Sequence, residues 1–485
     1  MKFTDTFVPV LFERRVRLTA AWVVVIGLTT LAPFSFAPGD RRPLLLFDRY
    51  QQDPIDFVAN VLLFVPLGAL LRKSSTGQRS IAACMAAGGL LSLMAECLQG
   101  WLPSRDSSLI DVVANTAGTA LGAALTTRYE GRLTGALQSA RTAVLAGTFA
   151  VVAIVSIVVS GFLQEQTRLE NWSTAYPLVV GNEATGNRPW HGRVMTLEMR
   201  DEAATADAVR RFADGAAPTL RGAVIASFDL SGQPPFADRS QHLPPLVPVS
   251  AGHIQAHQSE AEAGTPWLQT SGAAEGIARQ VRRSNAFSLQ VVCASASANQ
   301  HGPARIVSNS PDPNVRNFML GQQQDALVVR LRTPVTSFNG NEPELVVPGV
   351  FADVQPKNLL VTYDGTTLSV AVAHTSEVRK LELTPGSTAA RLFVPAEAVR
   401  ADQEPVFAAT YVAGLFVVPG VLVGVVNQAR RHRIAFGVWW PVVIAIALEL
   451  TIVLVSGRPF LPLNVAETSL IGAAVIFGVA SIVEP

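Results

Sequence analysis

The hydrophobic positions of this chain are concentrated in two groups of long apolar runs. A helix that crosses the hydrocarbon layer of a membrane needs about 20 consecutive apolar residues. The runs that approach this length are Leu18–Phe36, Phe57–Leu71, Ile81–Leu98, Leu109–Leu125 and Ala143–Leu163, then Val406–Val426, Ala435–Val455 and Val465–Ile482. No such run occurs between Gln164 and Glu404. The pattern predicts an α-helical transmembrane bundle of about eight spans that is interrupted by one soluble domain.

These runs divide the chain into four parts. We expect a four-helix membrane domain at residues 1–135, a fifth transmembrane helix at 136–164, a soluble domain at 165–404 and three C-terminal transmembrane helices at 405–485. The soluble part contains short β-branched segments between turn signals such as Asn339-Gly340 and Asp364-Gly365. The predicted strands include Phe287–Ala294, Ala326–Leu331, Leu359–Tyr363 and Leu368–Ala373. Because helical periodicity is weak there, the sequence predicts an all-β sandwich.

The amino-acid composition supports this division into membrane and soluble parts and excludes or disfavours several classes of protein. Hydrophobic residues make up 49% of the chain, and charged residues make up only 15%, against about a quarter in soluble domains. A disordered chain is excluded, and a purely soluble enzyme is disfavoured. The net charge of +1 gives no basic surface for nucleic acid, so no nucleic-acid partner is expected. The three cysteines cannot form a disulfide framework.

The basic residues predict the orientation of the helices. Cytoplasmic loops carry an excess of Lys and Arg. With the N-terminus in the cytoplasm, the inner segments hold Lys2, Arg14, Arg15, Arg17, Arg72, Lys73, Arg79, Arg128, Arg132, Arg141, Arg430, Arg431 and Arg433, whereas the short outer loops hold Arg41, Arg42, Arg49, Arg105 and Arg458. This bias predicts a multi-pass protein with an extracytoplasmic β domain. The less favoured alternative is that the first run is a cleaved signal peptide.

Polar residues in the first four spans form the candidate site. Ionisable residues inside a membrane are costly and therefore mark functional positions. The candidate ligand-binding residues are Asn60, Glu96, Gln99, Arg105, Asp111 and Asn115. The predicted helix directions place them together at the outer leaflet, with Arg105 in the loop between the third and fourth helices.

Two interpretations of this set are open. In the first, the residues form a pocket for an anionic lipid head group. Arg105 would bind the phosphate, and Glu96 or Asp111 would act as an acid or base. In the second, Glu96, Arg105 and Asp111 form a buried ion-pair network that stabilises the bundle.

The set resembles the VanZ-like family of membrane proteins. That family has an Asn before a Phe-x-Pro-x-Gly helix, then Glu-x-x-Gln, a Pro-x-Arg turn and Asp-x-x-x-Asn-x-x-Gly-x-x-x-Gly. The matching residues are Asn60, Phe64, Pro66, Gly68, Glu96, Gln99, Pro103, Arg105, Asp111, Asn115, Gly118 and Gly122. The family is named for resistance to the glycopeptide teicoplanin. The resemblance, over residues 18–127, implies a protein of the bacterial cell envelope and inner membrane but supplies no reaction mechanism.

The C-terminal helices repeat part of the same spacing. Glu449 precedes Arg458 by nine residues, as Glu96 precedes Arg105, and Arg458 precedes Asn464 by six, as Arg105 precedes Asp111. We therefore expect two four-helix VanZ-like repeats. Thr468 stands at the place of Asn115, so the second copy has lost polar groups and is expected to support the first.

The soluble domain resembles a laminin-G or concanavalin-like jelly roll in a permuted order. The segments that carry this resemblance are Asn285–Val292, Arg305–Ser310, Arg316–Gly321, Leu178–Asn182 and Trp190-His-Gly192. The resemblance implies carbohydrate binding to an envelope glycan, sometimes with calcium as the cofactor.

The residues themselves fix no metal or catalytic site in this domain. Asp312, Asn314 and Asn317 are candidate calcium ligands, although ordinary turn roles are favoured for them. His253 and His257 are spaced as a metal pair but lie in a Gly/Ser/Gln-rich stretch, so no metal site is predicted. Cys293 is expected in the core. No HExxH motif and no GxSxG motif with catalytic partners is present.

Three functions are therefore considered. The leading hypothesis is a membrane protein that binds or handles a lipid-linked or phosphate-bearing envelope glycan. The second is a transferase or hydrolase that acts on a polyprenyl-phosphate-linked saccharide. The third is a non-catalytic sensor or assembly factor.

Overall fold

The structure, a computed structural model, describes most of the chain. It covers residues 54–74, 77–102, 107–139, 142–249, 267–391, 404–429 and 436–483, together with single residues between 16 and 31. Arg105, His253 and His257 lie outside the described residues.

Long helices lie where the apolar runs predicted them. They are α1 (Pro54–Arg72), α2 (Ile81–Gln99), α3 (Leu109–Ser139), α4 (Thr142–Glu165), and, after the soluble domain, α8 (Glu404–Ala429), α9 (Phe436–Ser456) and α10 (Pro462–Val483). A short β-hairpin joins α1 to α2, and its antiparallel strands, β1 (Lys73–Ser74) and β2 (Gly77–Gln78), contain two residues each. The start of α2 is fixed by Ser80, whose hydroxyl accepts a hydrogen bond from the Ala83 N–H at 3.1 Å.

Four of these helices contain segments that are long and apolar enough to cross a membrane. The segments are Ile81–Gln99, Leu109–Arg128, Gly147–Asn171 and Trp439–Ser456, of which the third begins in α4 and continues past its end. The chain is therefore a membrane protein. The expectation of eight spans is not supported beyond these four. In α1, α8 and α10 the described apolar stretches contain only 10–17 residues, which is shorter than the hydrocarbon layer requires. The first predicted span is described only at scattered residues.

Helices α1 and α3 approach each other closely through glycines. A Cβ atom added at Gly118 would lie 2.2 Å from the Val61 carbonyl oxygen, and one at Gly122 would lie 1.9 Å from that of Val65. The small residues at this interface therefore permit backbone contact. The spacing of Gly118 and Gly122, four residues apart, is typical of such close helix contacts.

The soluble part contains two antiparallel sheets. The strands are β3 (Leu178–Val180), β4 (Gly192–Arg200), β5 (Val224–Asp229), β6 (Leu246–Val249), β7 (Trp267–Thr270), β8 (Phe287–Ser295), β9 (Gln300–Asn309), β10 (Phe318–Gln324), β11 (Ala326–Leu331), β12 (Leu345–Val347), β13 (Lys357–Tyr363), β14 (Thr367–Val372) and β15 (Val378–Glu382). Their orders are β12-β11-β10-β9-β3-β7-β6 and β15-β14-β13-β8-β4-β5. Ile306 and Leu320 of the first sheet share one buried cluster with Leu289 and Val361 of the second. The domain is therefore a β-sandwich, as predicted.

The soluble domain is not all-β as predicted, because short helices accompany the sandwich. They are α5 (Ala206–Ala213), α6 (Glu275–Ser284) and α7 (Pro385–Ala390). Helix α5 buries Val209 and Phe212 against Leu360 and Ala371 on the outer face of the second sheet. Helices α5 and α6 each bury one apolar face and expose basic side chains, but they contain only eight and ten residues, which is shorter than the window of about 11–18 residues over which helical periodicity is read.

The sandwich is fixed to the ends of α4 and α9 by buried hydrogen bonds. Asn285 caps α6 in a left-handed conformation with φ of 52°. Its amide donates to the Ser456 carbonyl oxygen at 2.8 Å, and its side-chain oxygen accepts from the Leu169 N–H at 2.9 Å. The Tyr363 hydroxyl donates to the Thr167 carbonyl oxygen at 2.7 Å. The β domain is therefore held against two spanning segments by atoms that water does not reach.

Candidate functional site

Glu96 lies in the last turn of α2 and is buried, with 3% of its surface exposed. Its carboxylate accepts a hydrogen bond from the Ser108 N–H at 2.8 Å, and its carbonyl oxygen accepts one from the Ser107 hydroxyl at 2.7 Å. Both serines immediately precede α3. These contacts hold the beginning of α3 against the end of α2.

Asn60 and Asp111 connect α1 to α3. The Asn60 amide donates to the Asp111 carboxylate at 2.9 Å. Asp111 lies in the first turn of α3, where the helix dipole stabilises a negative charge. The structure thus brings the ends of α1, α2 and α3 together, as expected, through side chains that come from separate helices.

Gln99 and Asn115 extend this polar set into the bundle. The Gln99 amide donates to the Thr30 carbonyl oxygen at 2.9 Å. The Asn115 amide donates to the Ser92 hydroxyl at 2.8 Å. The Asn115 side-chain oxygen is buried and has no hydrogen-bond donor among the described residues. A buried acceptor of this kind costs about 1–3 kcal/mol unless a donor reaches it.

The C-terminal set, Glu449, Arg458 and Asn464, also forms a cluster. Two nitrogens of the Arg458 guanidinium each lie 2.7 Å from an oxygen of the Glu449 carboxylate, and both side chains are 3% exposed. The same carboxylate accepts from the Leu461 N–H at 2.8 Å and lies 3.5 Å from the Asn464 amide. Glu449 and Arg458 therefore form a buried, bidentate ion pair, and the partly buried Asn464 lies at its edge.

The two sets share a spacing in their contacts. Ser108 and Leu461 each lie twelve residues after the glutamate whose carboxylate their N–H group contacts, and each precedes the next long helix. In both sets the glutamate side chain therefore ties together consecutive helices.

A buried ion pair in the β domain was missed by sequence reasoning. The Arg305 guanidinium lies 3.2 Å from the Glu183 carboxylate, and neither side chain is more than 2% exposed. The Ser310 hydroxyl also donates to this carboxylate. Because 122 residues separate the pair, no local spacing could have indicated it.

Arg316 adds a second buried guanidinium beside this pair. It donates to the Pro313 carbonyl oxygen, whereas its Nε and Nη1 atoms have no partner among the described residues. Burial lowers the pKa of Arg316 to about 9. Glu183 is therefore needed to offset positive charge inside the sandwich.

The candidate calcium ligands take structural roles. The Asp312 carboxylate accepts from the Asn314 N–H at 2.7 Å, as in a turn. The Asn317 amide group bonds both Ser173 and Asn309. Among the described residues no group of three or more His, Cys, Asp and Glu is arranged to hold a metal ion. Cys293 is fully buried on β8, as expected, and burial raises its pKa to about 12.

Comparison with known proteins identifies the first part of the chain. Residues 6–129 match the model of the family described as VanZ/LLP1. The matched range includes Asn60, Glu96, Arg105 and Asp111, so the resemblance drawn from the motifs is confirmed for this domain. No curated protein and no solved structure matches the chain at a significant level.

Proposed function

We propose that this VanZ-like envelope protein binds a phosphate-bearing, lipid-linked glycan component at the outer leaflet of the bacterial inner membrane. The observation that carries the proposal is the meeting of Asn60, Glu96 and Asp111 at one end of α1, α2 and α3. This meeting lies inside the region that matches the VanZ/LLP1 family, which is linked to glycopeptide resistance.

The chemistry of the set suits a sugar phosphate. Arg105 stands between Glu96 and Asp111 in the sequence, and a guanidinium binds phosphate through two parallel hydrogen bonds. The buried Asn115 oxygen needs a donor, which a sugar hydroxyl supplies. The carboxylates of Glu96 and Asp111 accept further hydroxyl groups. In this proposal the ligand supplies the donor that the Asn115 oxygen lacks among the described residues.

The C-terminal helices act, in our proposal, as a degenerate second VanZ-like unit with a supporting role. Helices α8 to α10, with α4 in the place of the first helix, would complete an eight-span arrangement of two parallel repeats. The shared spacing around Glu96 and Glu449 supports this correspondence. Because Arg458 occupies both oxygens of Glu449, the second unit has little capacity left to bind a ligand.

The β-sandwich, in our proposal, is an extracytoplasmic jelly roll that binds envelope glycan beside the membrane site. Its hydrogen bonds to the ends of α4 and α9 keep it close to the lipid surface. The excess of arginine and lysine in the opposite loops supports placing it outside the cytoplasm.

The direct test uses the purified full-length chain in lipid nanodiscs with undecaprenyl phosphate as the probe. Arg105→Ala and Glu96→Gln are compared with Arg141→Ala, a charge removal on the predicted inner side. We expect at least about tenfold weaker binding for the first two, since one charge-assisted hydrogen bond contributes about 1.5–3 kcal/mol. The control should bind like the wild-type protein.

Thermal unfolding of the same samples separates the pocket from a structural ion-pair network. Unchanged binding by folded Arg105→Ala protein would reject the proposal. A large loss of thermal stability in Glu96→Gln with normal binding by the surviving folded fraction would favour the structural network. Release of phosphate or transfer of a saccharide in these samples would identify an enzyme rather than a binder.

A further inference from the structure

Helix α6 of the β domain carries three arginines close to the end of a spanning helix. Arg279 lies in its middle, and Arg282 and Arg283 lie in its last turn. The helix ends at Asn285, whose amide contacts the carbonyl oxygen of Ser456. Ser456 is the last residue of the spanning segment in α9.

These arginines line a cleft. The other lining residues are Glu170 and Thr174, which belong to the segment that leaves α4. Arg168, in the same segment, donates to the Val455 carbonyl oxygen at the end of α9. The cleft is therefore bounded by chain that emerges from one spanning helix and by a helix that rests on the end of another.

The charges in the cleft do not balance. Arg279 pairs with Glu275, and Glu170 pairs with Arg168 at 2.8 Å. Arg282 and Arg283 are exposed and have no hydrogen bond or ion pair with any residue that the structure describes. Two guanidinium groups are consequently available to an anion.

The position of the cleft matches the head-group layer. A helix rises about 1.5 Å per residue, so the backbone of Arg282 lies within roughly 5 Å of Asn285 along the axis of α6. The polar layer on each side of the hydrocarbon core is about 5–8 Å thick. Since Asn285 touches the last residue of a span, Arg282 and Arg283 lie within the thickness of one polar layer from the end of that span.

We infer that this cleft, formed by Arg279, Arg282 and Arg283 beside Glu170 and Thr174, binds the phosphate of an anionic membrane lipid. The lipid belongs to the leaflet on the side of the β domain, and it fastens α6 to the membrane surface. This site is separate from the Asn60, Glu96 and Asp111 set, and it does not depend on the proposed function.

The chain provides a matched control. Helix α5 also carries two exposed arginines in its last turn, Arg210 and Arg211. That turn lies far from the membrane, because the Ala213 carbonyl oxygen accepts from the Thr375 N–H beyond the distal end of β14. A stabilising interaction of arginine with the helix dipole would be lost from both helices, and the α5 variant would also lose the exposed ion pair of Arg211 with Asp207. Lipid binding would be lost only from α6.

The experiment measures phosphatidylglycerol and phosphatidylcholine bound to the purified full-length protein by native mass spectrometry. Because each basic residue near a membrane contributes about 1 kcal/mol to anionic lipid binding, Arg282→Gln with Arg283→Gln should weaken phosphatidylglycerol binding roughly tenfold to thirtyfold. Phosphatidylcholine binding should stay the same. Arg210→Gln with Arg211→Gln should retain wild-type lipid selectivity.

Two further measurements keep the inference falsifiable. The double variant Arg282→Lys with Arg283→Lys keeps both charges and should retain most of the selectivity for phosphatidylglycerol. It provides a second measurement in case the glutamine variant does not fold. Soluble glycerol phosphate should fail to compete, because it lacks the acyl chains that hold the head group at this depth. Unchanged selectivity in the folded glutamine variant, equal loss in the α5 control, or full competition by glycerol phosphate would overturn the inference.

Discussion

Replacing Glu449 with glutamine should strongly destabilise the C-terminal helices. The substitution removes the negative charge from a carboxylate that two nitrogens of Arg458 contact at 2.7 Å. Both side chains are 3% exposed, so water cannot compensate the remaining guanidinium. The amide that replaces the carboxylate also directs a donor towards another donor.

The expected magnitude follows from this burial. Removing one partner of a buried ion pair costs about 3–5 kcal/mol, because the other charge stays buried without a counterion. In a cooperatively unfolding unit of 150–250 residues, each kcal/mol of lost stability lowers the melting temperature by about 2–4 °C. For a unit of that size, the loss of about 3–5 kcal/mol corresponds to a fall of roughly 6–20 °C. The effect should reach the β domain, since Ser456 accepts a hydrogen bond from Asn285 only two residues before Arg458.

Thermal unfolding in detergent, followed by tryptophan fluorescence, measures this change. The control is the double variant Glu449→Gln with Arg458→Met, which removes the second charge and should recover much of the loss. A single variant that melts with the wild-type protein would refute the reasoning. A double variant as unstable as the single one would show that the backbone contacts, rather than the charges, stabilise this region.

Three further outcomes are expected. Gly365→Ala should weaken the contact between the β domain and the end of α9, because Gly365 has φ of +90° and its added Cβ would lie 2.6 Å from the Ser456 carbonyl oxygen. Hydrogen exchange around Asn285 should become faster, and unchanged exchange would contradict the prediction. Glu183→Gln should destabilise the sandwich by about 3–5 kcal/mol, since Arg305 and Arg316 would stay buried without the Glu183 carboxylate. Denaturant unfolding measures this loss, and an unchanged unfolding midpoint would contradict the prediction. Cys293 should resist alkylation in the folded protein at mildly alkaline pH and react after denaturation, because burial raises the pKa of its thiol to about 12. Peptide mass spectrometry distinguishes the alkylation of Cys293 from that of the other cysteines.

Helix positions in this chain were predictable because apolar length is a property of local sequence. The third predicted span, Ile81–Leu98, differs from α2 by one residue, and the fifth, Ala143–Leu163, lies within α4. The number of complete spans was less predictable. The described apolar stretches of α1, α8 and α10 are too short by themselves, although each belongs to a longer helix.

The site was predictable only in its local part. The spacing of Glu449 and Arg458, which equals that of Glu96 and Arg105, drew attention to these residues, and their pairing across the short turn between α9 and α10 is seen in the structure. The bond from Asn115 to Ser92 depends on how α2 and α3 are rotated against each other. The pairing of Glu183 with Arg305 depends on how the loop that follows β3 lies against strand β9. Such contacts follow from tertiary packing, which sequence spacing does not encode.

The two glutamate clusters differ in the hydrogen-bonding capacity left among the described residues, and on this difference we base the proposal that the first set binds a ligand and the second supports the fold. Around Glu449 an arginine, a backbone N–H and an amide surround one carboxylate, and the end of α9 nearby holds the β domain through Asn285. This cluster must stay rigid, because any ligand that removed Arg458 would leave a buried charge. In the first set, Asn115 keeps a buried acceptor without a donor among the described residues. In our proposal, a ligand that donates a hydrogen bond to this oxygen recovers about 1–3 kcal/mol of the cost of leaving the acceptor unsatisfied.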